Sequence, residues 1–134
     1  MNCEIITIGD ELLIGQVIDT NSAWMATRLN EAGIRVKQMT SVSDDPEHIT
    51  KELKSALNRS AIVLITGGLG PTKDDLTKDT LCRFFNTTLI EDAKVVHDLS
   101  VYFKSRGREL TETNRKQAEI PAYCTPVYNK NGTA

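Results

Sequence analysis

The chain has 134 residues, 40% of them hydrophobic and 25% charged, with a formal net charge of −2. Such figures suit one soluble globular domain and exclude a collagen-like, coiled-coil or wholly disordered chain. They also exclude a nucleic-acid binder that works through bulk positive charge. No apolar run approaches the roughly 20 residues that cross a bilayer. The N-terminus, MNCEIITIGDE, has neither the basic region nor the apolar core of a signal peptide. Cys3, Cys82 and Cys124 stand too far apart for a disulfide framework or a metal pair. They read as buried, reduced thiols of a cytoplasmic protein.

In chain order, Cys3–Ile8 is a short apolar run that predicts a strand buried on both faces. Thr20–Ala32 carries Met25, Leu29 and Ala32 at helical spacing, and Gly33 stands where a helix ends. Ile34–Val42 predicts a second strand. Asp45 and Pro46 then open a helix as N-cap and first helical residue, with Ile49, Leu53, Ala56 and Leu57 as its apolar face. Ala61–Thr66 predicts a third strand that runs into Gly67-Gly68-Leu69-Gly70-Pro71-Thr72. A helix over Thr77–Phe85 follows, with Leu81, Phe84 and Phe85 on one side. A short strand at Leu89–Ile90 precedes a helix over Asp92–Arg106 stopped by Gly107. A shorter helix over Thr111–Ala118 ends at Ile120-Pro121, and Thr125–Tyr128 suits one more strand.

Alternating strands and helices predict a parallel, doubly wound sheet covered on both faces. Ligands of such sheets sit outside the carboxyl ends of the strands. Three loops lie there: Gly9–Gln16, Ser43–Asp45 and Gly67–Asp75. In the third, three glycines permit close approach of a ligand to backbone N–H groups ahead of a helix, which makes an anion cradle. Without a ligand it is a plain glycine-rich turn. Asp74 and Asp75 either hold a divalent cation or cap the next helix. Asp10-Glu11 and Asp44-Asp45 bring more carboxylates to the same edge, where mutual repulsion favours a hard cation. Asp45 is accounted for as an N-cap, so Asp44 is the functional candidate of its pair. Asp19-Thr20-Asn21-Ser22 offers polar groups at a helix start, whether as a cap or as ligand contacts. Asn114 and Gln117 share a helix face and suit either solvent or a nucleotide. His48 and His97 have no partner ligands at metal spacing, and no Ser–His–Asp pattern stands out.

Several stretches together resemble the N-terminal domain of the competence-damage-inducible CinA family. They are Ile8-Gly9-Asp10-Glu11-Leu12-Leu13-x-Gly15, Asp19-Thr20-Asn21-Ser22, Gly67-Gly68-Leu69-Gly70-Pro71-Thr72-x-Asp74-Asp75-x-Thr77, Asn114-Arg115-Lys116-Gln117-Ala118 and Asn129-x-x-Gly132-Thr133-Ala134. More broadly, the chain is similar to the MoaB/Mog family of molybdopterin-binding domains. The resemblance implies a three-layer α/β/α fold with a mostly parallel sheet over one domain, residues 1–134, truncated at its C-terminal end. For the broad family it implies binding of a phosphorylated pterin or its adenylated form with Mg2+. For the CinA branch it implies a metal-dependent pyrophosphatase that hydrolyses ADP-ribose to AMP and ribose 5-phosphate. Longer relatives add a domain that deamidates nicotinamide mononucleotide, an activity not assigned to these residues.

On that resemblance Asp74, Asp75 and Asp44 are the catalytic candidates, and Asp75, Asp44 and Asp10 the ligands of Mg2+, Mn2+ or Co2+. Gly67, Gly68, Leu69, Gly70, Pro71, Thr72, Asp10, Glu11, Asn21, Asn114 and Gln117 would bind a small-molecule nucleotide. Nucleic acid and membrane are not expected partners; a cytoplasmic homodimer or homotrimer is. Leu69 departs from the Mog-type adenylyltransferase pattern, which has Thr in the glycine loop. A molybdopterin-binding protein or adenylyltransferase is the first alternative, and a non-catalytic nucleotide or pterin sensor the second.

Overall fold

β1 (Asn2–Ile8) is buried at every position after Asn2, which marks it as a central strand. The computed structural model, which describes residues 1–72 and 76–129, bears this out. The chain divides into two compact units, Met1–Gly68 and Leu69–Ala134. In the first, β2 (Arg35–Val42) and β3 (Ile62–Thr66) both pair parallel with β1, in the order β2-β1-β3. Ile5 stands beside Met39 on one side and Leu64 on the other. The pairing of β1 with β2 steps from Cys3↔Val36 to Glu4↔Gln38, so Lys37 is an extra residue in β2.

α2 (Thr20–Glu31) connects β1 to β2, and α3 (Pro46–Arg59) connects β2 to β3. The two connections cross the sheet in opposite directions, so the right-handed rule sets the helices on opposite faces. That yields the expected α/β/α layering. Asp19 caps α2 by accepting from Ser22 N at 2.9 Å and Ser22 Oγ at 2.6 Å. Asp45 caps α3 by accepting from His48 N at 2.8 Å, with Pro46 at the first position. Ile49, Leu53 and Ala56 are buried, but Leu57, expected on the same face, is 43% exposed. Spacing of four and three residues fills the stripe, and residue 57 falls on its rim. Ala32, expected on the apolar face of α2, is exposed because the helix ends at Glu31.

One charged side chain lies in this core. Glu4 accepts from Arg59 Nη2 at 2.7 Å, Arg59 Nε at 3.1 Å and Ser60 Oγ at 2.9 Å. The Arg59 hydrogen bonds, helped by Ser60, hold the Glu4 carboxyl below the usual range against the opposing effect of burial. Glu52 accepts from Arg59 as well, at 2.9 Å.

The second unit contains α4 (Thr77–Phe84), β4 (Leu89–Glu91), α5 (Ala93–Ser105), α6 (Glu112–Arg115), a 3-10 turn (Lys116–Ala118) and β5 (Glu119–Pro121). β4 and β5 pair antiparallel, with Ile90 opposite Ile120. Three expectations are corrected here. The helix expected over Thr111–Ala118 is four α-helical residues followed by a tighter turn. Ile120-Pro121, expected as a stop, is the end of β5. Thr125–Tyr128 forms no strand, since Pro126 has no N–H to give a ladder and Val127 is 95% exposed. Phe85 lies past the end of α4 and is 54% exposed, although Phe84 packs edge-on against it. Lys78 Nζ donates to the carbonyls of Gln117 at 3.3 Å and Glu119 at 3.0 Å, tying α4 to the segment before β5.

Cys3 and Cys82 are buried, and burial pushes both thiols up. Cys124, expected to be buried as well, is exposed because it follows the turn after β5. Among the described residues no helix is long and apolar enough to cross a membrane.

Candidate functional site

The carboxyl ends of all three parallel strands meet at one edge of the first unit. Thr7 is level with Ser41 in β2 and Thr66 in β3. Beyond them the Gly9 amide donates to the Val42 carbonyl at 3.0 Å, continuing the β1–β2 ladder into the loop. The chain then makes a single helical turn, α1 (Asp10–Leu13), where a loop was expected over Gly9–Gln16.

Asp10 and Asp44, 34 residues apart in sequence, meet here. The Asp10 amide donates to Asp44 Oδ2 at 3.1 Å, and the Asp44 amide donates to Asp10 Oδ1 at 3.2 Å. Each carboxylate therefore holds the other residue's backbone and offsets part of the repulsion between them. Carboxylate oxygens of this kind suit a hard divalent ion. Two of the three expected metal ligands are thus brought together. Asp75, the third, and Asp74 lie outside the described residues. Among the described residues no three His, Cys, Asp or Glu side chains cluster as a metal site.

Next to the strand ends lies a cavity of about 140 Å3. Its floor comes from Thr7 and Ile8 of β1 and Thr66 and Gly67 at the end of β3. Glu11 and Leu12, the apolar pair Val17 and Ile18, and the first residues of α2 form its walls. Three expected ligand residues, Glu11, Asn21 and Gly67, are in this lining. Burial works to raise the Asp19 carboxyl, yet hydrogen bonds from Ser22, Thr7 and Asn21 together hold it below the usual range. Asp19 is therefore committed to the helix cap.

Gly67 has a backbone φ of 99°, and Gly68 of 58°. A Cβ at position 67 would stand 1.9 Å from the Ile8 carbonyl oxygen. The close approach that requires glycine here is thus by the neighbouring strand. It also brings the start of the glycine loop directly against the end of β1.

The remainder of that loop belongs to the second unit. Leu69 is half-buried. Gly70, Pro71 and Thr72 line a cavity of about 300 Å3 with Lys78, Lys116 and Glu119. Asn114 is half-buried with its amide capped by Thr111 Oγ1 at 3.2 Å. Gln117 Oε1 is buried and has no hydrogen-bond partner among the described residues. Sequence reasoning missed Thr7, Lys78 and Lys116. Thr7 carried a signal, as the one hydroxyl near the end of an apolar strand. The lysines carried none, because lysines are ordinary on helix surfaces.

The family model described as "Probable molybdopterin binding domain" matches residues 4–133. The chain belongs to this family. It is 49% identical over its whole length to a CinA-like protein of Flavobacterium psychrophilum, of which it covers 32%. It is 47% identical over 98% of its length to a CinA-like protein of Cytophaga hutchinsonii, of which it covers 31%. The chain therefore spans about a third of the curated relatives it matches. Among solved structures, the protein CinA of Thermoplasma acidophilum, a protein of unknown function, superposes with a TM-score of 0.85 at 34% identity. That match covers 99% of this chain and 78% of the other. The tungsten cofactor synthesizing protein MoaB of Pyrococcus furiosus superposes at 0.61 with 20% identity, covering 79% of this chain and 64% of the other. This second likeness shows the fold, which is the α/β architecture expected from the sequence.

Proposed function

We propose that this molybdopterin-binding-family domain binds a phosphorylated small molecule with a heterocyclic ring at the carboxyl edge of β1 and β3. The observation that carries the proposal is the cavity of about 140 Å3 where β1 and β3 end, bounded by Gly67. Such an edge is where open parallel sheets hold ligands. The family description names the ligand class, molybdopterin, which joins a phosphate to a pterin ring. Asp10 and Asp44 would hold a divalent cation beside the phosphate, with Mg2+ the leading candidate and Mn2+ or Co2+ alternatives. Isothermal titration of the protein with a pterin phosphomonoester tests this, with and without Mg2+. Saturable binding strengthened by the ion is expected; no heat of binding under either condition would refute it.

Leu69 favours a second reading. Apolar leucine stands in the glycine loop where Mog-type adenylyltransferases carry Thr, which argues against adenylyl transfer as the chemistry. The second reading is metal-dependent hydrolysis of ADP-ribose to AMP and ribose 5-phosphate. Asp44 and Asp10 would help to hold the metal. AMP release from ADP-ribose with Mg2+, Mn2+ or Co2+ is the test, and absence of AMP with all three ions rejects it. A cytoplasmic homodimer or homotrimer belongs to the same proposal, and light scattering checks the oligomer.

A further inference from the structure

Cys82 and Cys124 stand on different elements of the second unit. Cys82 lies near the end of α4 and is buried, whereas Cys124 is exposed after the turn that follows β5. A run of backbone hydrogen bonds brings the two segments together. The Cys82 carbonyl accepts from Thr87 N at 2.9 Å, where the chain turns back from α4. The carbonyl of the next residue, Thr88, accepts from Ala122 N at 2.9 Å. The chain then turns at once, with Cys124 N donating to Pro121 O at 3.0 Å. Lys78, one turn before Cys82 on α4, adds its bond to the Glu119 carbonyl at 3.0 Å. The two sulfurs are within electrostatic range of each other. After burial and the charge of Asp79, a thiolate at Cys124 is the next influence that pushes the Cys82 thiol up. The remaining thiol, Cys3, is fully buried within β1 and closed to oxidants in solvent.

Thiol reactivity follows exposure and thiolate character. Cys124 meets solvent, and Cys82 is buried and kept protonated, so the pair divides into an attacking and a resolving cysteine. We propose that Cys82 and Cys124 form a redox-modification site that closes an intramolecular disulfide on reaction with a small disulfide such as oxidised glutathione. Each thiol first gives its proton to water. The Cys124 thiolate attacks one sulfur of the oxidant, forming a mixed disulfide and releasing one glutathione thiolate. The Cys82 thiolate then attacks Cys124 Sγ and releases the second. The protein loses two electrons and two protons, and the oxidant is reduced to two thiols. In a reducing compartment the pair rests as thiols and closes only under oxidation. The bridge ties α4 to the segment after β5. α4 supplies Lys78 and Asp79, and β5 supplies Glu119, to the cavity of about 300 Å3, so closure fixes these walls relative to each other.

The test is incubation of the parent protein, C124S and C82A with oxidised glutathione. Intact mass, free-thiol counts in denaturant and peptide mapping are then read. The parent should keep one of its three thiols, lose the mass of two hydrogens and yield a cross-linked Cys82–Cys124 peptide, all reversed by dithiothreitol. C82A should stop at the mixed disulfide of Cys124 with glutathione, and C124S should keep both of its thiols. Oxidation should raise the thermal midpoint of the parent and leave that of C124S unchanged, because only the parent's unfolded chain becomes constrained. Cys124 is exposed, so C124S keeps the fold and remains informative if the buried substitution in C82A does not. A glutathione adduct on the parent's Cys124 that never resolves would overturn the proposal. So would two chains linked through Cys124, or three thiols that survive the oxidant.

Discussion

Gly67 illustrates how a residue type that suggests a ligand can answer to the chain itself. Its φ of 99° and the 1.9 Å approach to Ile8 O leave no room for a methyl group. Gly67→Ala should lower stability by about 1–3 kcal/mol, the usual cost of a strained backbone, and should weaken ligand binding as the loop shifts. Chemical denaturation beside ligand titration checks both effects. Asp44 presents a contrast. Asp44→Asn keeps an oxygen to accept from the Asp10 amide but loses the charge. The strengthening of ligand binding by Mg2+ should therefore be lost while the thermal midpoint changes little. Undiminished strengthening by the ion would remove Asp44 from the proposed metal site.

Glu4 sets an acid limit on stability. Its carboxyl, held by Arg59, ionises more readily folded than unfolded. The stability it contributes is complete above the ordinary glutamate pKa of about 4.3 and is lost as pH falls through the lower folded value. Glu4→Gln should lower the midpoint at neutral pH and flatten its decline below about pH 4.3. Melting curves across that range decide; an unchanged acid slope would show that Glu4 does not control it.

Elements with local signals were legible in the sequence. Asp45-Pro46 at the start of α3 and Gly33 after α2 announce themselves through side-chain capping and positive φ. Asp45→Ala should cost about 1 kcal/mol and leave ligand affinity unchanged, because Asp45 faces its own helix. Elements that depend on distant partners were less legible. β5 exists because Leu89–Glu91 pairs with it, and a three-residue strand ending in proline carries no period to read. α1 is one turn following Gly9, too short for a helical pattern. At the candidate site, Asp10, Glu11, Asp44 and Asn21 could be singled out because topology brings parallel strand ends to one edge. Thr7 was legible only as the one hydroxyl near the end of β1; that it meets the cavity depends on which face of the strand turns there. Hydrogen exchange should find amides of β1 slowest in the first unit, as the strand paired on both sides. Faster exchange in β1 than in β2 would contradict that order.

For the whole molecule, the chemistry gathers at one edge of the first unit's sheet. The opposite edge carries the Glu4–Arg59 network, whose charges are satisfied among themselves. The single tryptophan, Trp24, is 62% exposed on α2 beside Arg28, giving an intrinsic reporter for this unit. The central claim is that a phosphorylated ring compound binds where β1 and β3 end. Amide chemical-shift mapping of the protein titrated with a pterin phosphomonoester and Mg2+ tests it most directly. The account predicts shifts concentrated at Thr7–Ile18, Thr20, Asn21, Asp44 and Thr66–Gly68, with Cys3, Arg35 and Ile62 at the opposite strand ends unmoved. Shifts centred on those opposite ends, or none at saturating ligand, would contradict it.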